Sequence, residues 1–287
     1  MSFAQILAPL TGGQRDEIVL AGAFAVARSF EAHVVGLFVR PDPVEAMPFY
    51  GEGISSAVVQ EVMDVSKRAT GEASRKARAT LVASAERTGV KVLDGTDAAV
   101  GPTATFAEVE GAFADQVTRA AILSDLVVFG PPRETDRSGL SEAFETTLID
   151  IGRPVLLVTQ KRAVDFAKVA IAWNGSTASA HAVSAALPLL GRASDVEILV
   201  VKRRNADLIS TQDVQTYLRR HRVSSTARIV EGGDRPVADV LLAAAADGGA
   251  GTLVAGGYGH NRLRELFVTG TTKRVVAQTA IPCFLVH

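Results

Sequence analysis

Cysteine is nearly absent from the sequence: Cys283 is the single one among 287 residues. An intramolecular disulfide is therefore excluded, and a reducing compartment, the cytoplasm, is the expected location. Cys283 lies within an apolar run at 282–286. We therefore predict a small buried side chain at this position rather than a reactive thiol.

Several patterns that carry chemistry are also missing. The histidines are scattered without the spacing of metal ligands, so no metal site is predicted. The sequence contains neither the Gly-x-Ser-x-Gly turn of serine hydrolases nor the phosphate loop that ends in Gly-Lys-Ser/Thr. No apolar run reaches the roughly 18 residues of a membrane span. We expect no membrane partner, no catalytic residue of a recognised type and, at most, slow ATP hydrolysis.

The charge is divided unequally along the chain. The net charge of −1 combines −7 over residues 1–160 with +6 over residues 161–287. Two explanations stay open: the two halves attract each other, or the basic half accommodates a polyphosphate. Neither half has the dense Lys and Arg clusters interleaved with aromatic residues that nucleic-acid binding favours, so no nucleic-acid partner is expected.

Short β-branched runs alternate with longer amphipathic segments along both halves. In the second half the pattern predicts strands at 168–173, 196–201, 226–230, 252–255 and 282–286, and helices near 177–190, 208–222, 235–247 and 271–279. Such alternation is typical of an α/β fold with a doubly wound, Rossmann-like parallel sheet and helices on both faces. Ligands of such sheets lie beyond the carboxyl ends of the strands.

The two halves repeat one plan. Segment 125–130 is similar to 251–256, and segment 6–12 is similar to 169–175. Because the second offset is larger than the first, the first half carries extra residues, which fall around 45–88. This insertion is predicted to be helical, with an apolar side that includes Val62 and Val65. We predict two domains, 1–160 and 167–287, joined by a polar linker.

A glycine cluster near the C-terminus is the most informative motif. Gly256-Gly257-Tyr258-Gly259 directly follows an apolar strand-like run, and Gly270-Thr271-Thr272 opens a segment with helical spacing. Glycine lets the backbone approach an anion, and the free N–H groups of a helix's first turn point at it. The pattern predicts a phosphate site. The alternative, that these are turn glycines of an ordinary α/β sheet, stays open.

These residues resemble the universal stress protein family, in a tandem two-domain form. The family's nucleotide-binding members have Gly, two residues, Gly, nine residues, then Gly followed by Ser or Thr. Gly256 and Gly259 fit this pattern, whereas ten residues rather than nine precede Gly270-Thr271. Asn174 stands where binding members carry Asp. The resemblance implies a five-stranded parallel sheet in each domain, in the order 3-2-1-4-5.

The resemblance also implies a stress-response protein that binds ATP or a related adenine nucleotide, with or without Mg²⁺, rather than a fast enzyme. The implied nucleotide-binding residues are Ala172, Trp173, Asn174, Val201, Ala255, Gly256, Gly259, Gly270, Thr271 and Thr272. The first domain departs further from the family, because Pro131 and Pro132 follow Gly130 and proline lacks the N–H donor. We expect it to be a degenerate copy that binds no nucleotide.

Two other functions are weighed against this one. The first alternative is a nucleotide-independent interaction module of the same fold. In either case the resemblance implies that the hydrophobic strands at 155–158 and 283–286 pair in an internal pseudo-dimer, and a homodimer is a further option. An adenylate-transferring enzyme would need a histidine-rich phosphate motif near the N-terminus, and the sequence has none there.

Overall fold

The computed structural model describes residues 3–41, 56–95, 101–130, 139–202, 210–256 and 280–287. Within them, eleven strands form one continuous sheet. The strands are β1 (Gln5–Leu10), β2 (His33–Arg40), β3 (Lys91–Val92), β4 (Thr103–Glu110), β5 (Leu126–Phe129), β6 (Val155–Leu157), β7 (Lys168–Ala172), β8 (Asp195–Lys202), β9 (Thr226–Glu231), β10 (Thr252–Gly256) and β11 (Cys283–Val286). The helices are α1 (Asp16–Phe30), α2 (Ser56–Thr88), α3 (Phe113–Ala121), α4 (Leu140–Glu145), α5 (Thr177–Leu190), α6 (Gln212–Arg220) and α7 (Val237–Asp247), and a wider π-type turn, Thr146–Asp150, continues α4.

The second half of the sheet has the expected topology. Its strands lie in the order β11-β10-β7-β8-β9, and every neighbouring pair is parallel. Numbered by appearance within this half and read from β9 to β11, the order is 3-2-1-4-5. The five predicted strands and three of the predicted helices are confirmed. The fourth helix, predicted at 271–279, lies outside the described residues.

The first half follows the same order but carries six strands rather than the expected five. Its order is β3-β4-β2-β1-β5-β6, so that β4 takes the place of the third strand and β3 lies outside it. The chain leaving α2 runs along the outer edge of β4, where the amides of Lys91 and Leu93 donate to the carbonyls of Pro102 and Ala104. This short pairing covers part of an otherwise open sheet edge.

The last strands of the two halves pair with each other, as expected. β6 and β11 run antiparallel, with Leu156 opposite Phe284 and Leu157 opposite Cys283. The junction is apolar, and burial raises the pKa of the Cys283 thiol to about 12. A neutral buried thiol at this position agrees with the prediction from the sequence.

Helices cover both faces of the sheet, which confirms the doubly wound arrangement. One face packs against α1, α2, α5 and α6 through residues such as Phe24, Leu81 and Val183. The opposite face packs against α3, α4 and α7 through residues such as Val117 and Phe144. Among the described helices, none is long and apolar enough to cross a membrane.

Helix α2 confirms that the inserted segment is helical over 56–88, while 45–55 lies outside the described residues. The expectation for its apolar side is wrong at two positions, because Val62 is 48% and Val65 60% exposed. The physical reason is the side of the helix on which they lie: at about 100° per residue, the two valines point roughly 90° to 150° away from the buried side that includes Ala77 and Leu81. The helix is also longer than the sheet. A helix of 33 residues spans about 50 Å, whereas the eight residues of β2 span about 27 Å. The sheet therefore supports only about half of the helix.

Candidate functional site

The candidate site lies where β7 and β10 end side by side. Val169 to Ile171 of β7 pair with Thr252 to Val254 of β10, and β8 pairs with the other side of β7. The chain order of the sheet reverses at this point, which is where doubly wound sheets open a crevice for ligands. The ends of the two strands place Ala172 to Asn174 next to Ala255 and Gly256.

Six of the ten predicted nucleotide-binding residues are described, and all six lie at the carboxyl edge of neighbouring strands. Ala172 ends β7 and is followed by Trp173 and Asn174, Val201 is the penultimate residue of β8, and Ala255 and Gly256 end β10. The remaining four, Gly259, Gly270, Thr271 and Thr272, lie outside the described residues. The nucleotide-binding role of all ten residues stays a prediction.

Trp173 is half-buried at the end of β7 and packs against the core. Its backbone amide donates to the carbonyl of Leu199, and its indole Nε1 donates to the carbonyl of Ser210 at 3.2 Å. The indole N–H is thus already used by the segment that leads into α6. What remains for a ligand is the accessible part of the ring surface.

The side chain of Asn174 is exposed and held in one orientation. Its Oδ1 accepts from the backbone amide of Ser176 at 3.1 Å and from the Ser176 hydroxyl at 2.6 Å. Because a backbone N–H can only donate, the atom facing it must be the amide oxygen. The Nδ2 group therefore faces away from the turn and can offer its hydrogens to a ligand acceptor.

Ser176 also caps α5. Its hydroxyl oxygen accepts from the Ser179 amide at 3.2 Å, and the Ser179 hydroxyl donates to the Ser176 carbonyl at 2.8 Å. Ser179 is buried at 3% exposure. One of the free amides at the start of this helix is therefore satisfied by the chain itself rather than left for an anion.

Gly256 lies against the backbone of α5. A β-carbon added to it would overlap the carbonyl group of Ala178 and lie 2.7 Å from the Ser179 amide nitrogen. Glycine is thus required here for the close approach of strand to helix. This packing is a sufficient reason for glycine at 256, independent of any phosphate.

The β8 side of the edge is tightly packed too. A β-carbon on Gly232 would lie 2.8 Å from Cγ1 of Val201, and the Gly232 amide donates to the carbonyl of Lys202. Val201 is half-buried. The edge thus combines an apolar rim from β8 with the donor group of Asn174 beyond β7.

The equivalent edge of the first half is filled by a carboxylate that the sequence analysis missed. Asp16, at 2% exposure, accepts from the amides of Thr11 and Gly12 at 3.0 and 2.7 Å and from the Thr11 hydroxyl at 3.1 Å. Burial raises the pKa of this carboxyl, although the hydrogen bonds from Thr11 and Gly12 oppose the shift. An acidic residue at the first position of a helix that follows Thr-Gly-Gly was the available signal.

The two edges therefore differ in chemistry. The repeat that aligns segment 6–12 with 169–175 also aligns Thr11 with Asn174 and Asp16 with Ser179. The first half directs a buried carboxylate at its turn amides, whereas the second half has a neutral serine there and an exposed amide side chain. In the described parts of the chain, no three His, Cys, Asp or Glu side chains are grouped to hold a metal ion.

No family model matches the sequence, and no curated protein matches it. Solved structures do match. A universal stress protein from Archaeoglobus fulgidus DSM 4304 is 15% identical, with 98% of this chain and 95% of that chain covered and a TM-score of 0.64. A putative universal stress protein from Pseudomonas aeruginosa UCBPP-PA14 is 13% identical, with 99% and 93% covered and a TM-score of 0.53.

Both matches extend over nearly the whole of each chain, so the likeness includes both halves of the sheet. At these identities it concerns the fold, and the topology of each half agrees with it. The chain therefore has the fold of the universal stress proteins, with two doubly wound units in tandem.

Proposed function

We propose that this chain is a universal-stress-type protein whose second half binds an adenine nucleotide, ATP or a relative, at the carboxyl edge of β7 and β10. The observation that carries the proposal is the reversal of chain order between these strands, which brings Ala172 to Asn174 beside Ala255 and Gly256. A crevice at such a reversal is where doubly wound sheets bind nucleotides.

The chemistry of the edge supports a nucleotide with defined contacts. Asn174 offers amide hydrogens, which suit acceptor oxygens or nitrogens of a nucleoside. Trp173 and Val201 offer apolar surface suited to a purine ring. The phosphates would lie toward Gly259 and Gly270-Thr271-Thr272. Mg²⁺ would then be bound by the phosphates rather than by a protein cluster.

The first half is proposed to bind no nucleotide. Its turn amides at Thr11 and Gly12 already donate to Asp16, and a buried carboxylate is a poor neighbour for a phosphate. We propose one nucleotide per chain and a sensing or signalling role. A ligand held for long times rather than rapidly hydrolysed fits this role.

The experiment compares matched positions of the two halves. Nucleotide released from purified, heat-denatured protein is identified by mass spectrometry, and ATP affinity is measured with and without Mg²⁺ for the wild type, Asn174→Ala and Thr11→Ala. We expect adenine nucleotide in the wild type and about tenfold weaker binding by Asn174→Ala, which corresponds to the loss of about one hydrogen bond. Thr11→Ala should bind like the wild type. Equal weakening by both variants would contradict the assignment to the second half.

A second candidate is the interaction module that binds no nucleotide. The packing of Gly256 against Ala178 favours this function, because it explains the glycine at this position without a ligand. The same measurements distinguish the two functions. Protein that releases no nucleotide and shows no thermal shift with ATP and Mg²⁺ supports the module.

A further inference from the structure

Helix α2 divides into a supported half and an unsupported half. From Ser74 onward one side of the helix is buried, at Ser74, Ala77, Leu81, Ser84 and Ala85. Between residues 60 and 73 no side chain is buried. Among the residues that the structure describes, buried positions of α2 are therefore confined to its C-terminal half.

The contact between Gly12 and Ala73 marks the position on α2 where packing against the rest of the protein ends. Gly12, in the turn that follows β1, lies so close to α2 that an added β-carbon would be 2.5 Å from the carbonyl oxygen of Ala73. This turn lies at the carboxyl edge of the first half of the sheet, so Ala73 is level with that edge. The 17 residues from 56 to 72 extend about 25 Å beyond it.

The projecting segment carries an apolar stripe bordered by ordered charges. Val62, Val65 and Ala69 follow each other at spacings of three and four and are all exposed, Val62 at 48% and Val65 at 60%. Glu61 and Asp64 lie toward the N-terminal end of this stripe, and Lys67 and Arg68 lie toward its C-terminal end. All four charged residues are exposed.

We propose that this stripe is a self-association surface on which two copies of the chain pair their α2 helices antiparallel. The order of the charges along α2 favours a second copy of the same chain in the antiparallel orientation. An antiparallel second copy brings Val62 against its Val65, and Glu61 close to its Arg68, twice by symmetry. A parallel copy would instead place Glu61 level with Glu61 and Arg68 level with Arg68, which is repulsive.

The first test is the mass of the protein in solution, measured by sedimentation over a concentration series. The wild type should reach twice the 30.1 kDa of one chain. Val65→Lys should stay at the mass of one chain, because it introduces a charge into the apolar stripe. Leu123→Lys is the matched control: Leu123 is 80% exposed and lies just beyond α3, away from the stripe, so this variant should still dimerise. A wild type that stays monomeric, or a dimer that Val65→Lys leaves intact, would overturn the proposal.

The second test reverses the charges. Glu61→Arg alone and Arg68→Glu alone should both be monomeric, since each creates two like-charge pairs across the symmetry axis. An equal mixture of the two variants should recover the dimer mass, because every cross-pair is then of opposite sign. Circular dichroism checks that both variants fold. A mixture that stays monomeric while both variants are folded would also refute the antiparallel arrangement.

Discussion

At the scale of single residues, two glycines in equivalent positions have different surroundings. Gly256, at the end of β10, leaves no room for a β-carbon because Ala178 and Ser179 lie against it. Gly130, which follows β5, would place a β-carbon 3.5 Å from Cγ2 of Val19, an ordinary contact distance. Of this pair of positions, only Gly256 therefore requires glycine for the approach of the strand to its helix.

Replacing Gly256 by Ala should lower the free energy of unfolding by about 2–3 kcal/mol, because the methyl group has only backbone to displace. Gly130→Ala is the control and should change it by less than about 0.5 kcal/mol. Urea denaturation measures both. Equal effects would show that the close approach at Gly256 is absent in solution.

Asp16→Ala should lower the free energy of unfolding by about 2 kcal/mol, since the amides of Thr11 and Gly12 lose their acceptor. Asp115→Ala, at an exposed position in the first turn of α3, should have little effect.

Burial raises the pKa of Asp16 above 3.8, so the folded state binds the proton more tightly than the unfolded state does. The difference in free energy of unfolding between the wild type and Asp16→Ala should therefore be largest below pH 3.8. It should decrease as the pH rises through the raised pKa of Asp16. A difference that increases over this range would contradict the predicted direction.

At the scale of elements, one arginine ties a helix to two strands. Arg228 of β9 donates to both carboxylate oxygens of Glu197 on β8, at 2.9 Å each, and to the carbonyl of Ala244 in α7 at 2.7 Å. Gly248 lies beside this pair, and a β-carbon there would be 2.9 Å from the guanidinium. The outer strand β9 is thus held by a planar guanidinium that donates to both carboxylate oxygens at once, a geometry that lysine cannot supply.

Arg228→Met should cost about 2 kcal/mol of stability, because Glu197 is largely buried and loses both hydrogen bonds from the guanidinium. Lys202→Met removes the neighbouring ion pair with Glu231, whose side chains are 50% and 77% exposed, and should cost less than about 1 kcal/mol. Thermal unfolding of the two variants checks the contrast. A larger loss for Lys202→Met would be evidence against a stabilising role for the arginine.

The elements were largely predictable from the sequence, because hydrophobic periodicity reports local structure. The strands of the second half and the helix over 56–88 are examples. Hydrophobic periodicity does not reveal which element, if any, packs against an apolar side of a helix. Val62 and Val65 were expected on an apolar side of the helix, yet that side points away from the sheet.

The candidate site was predictable only in part, for a similar reason. The ends of β7 and β10 could be placed together because parallel strands of a doubly wound sheet share an edge. The packing of Gly256 on Ala178 and the carboxylate of Asp16 depend on how closely separate elements approach. Such distances are set by the whole fold and leave no fixed spacing in the sequence.

At the scale of the whole molecule, the β6–β11 pairing joins the two halves into one sheet of eleven strands. Each half contributes one strand to the junction, and neither strand leaves an open edge there. The division into domains at 1–160 and 167–287 stays a prediction. On this account the halves have diverged, with the first carrying a projecting helix and the second the proposed ligand edge.

The number of ATP molecules bound per chain tests the central claim most directly. Calorimetric titration of nucleotide-free protein with ATP and Mg²⁺ should give one site per chain, since the turn amides of the first half already bind Asp16. Asn174→Ala should weaken that site. Two sites per chain, or none, would contradict the account.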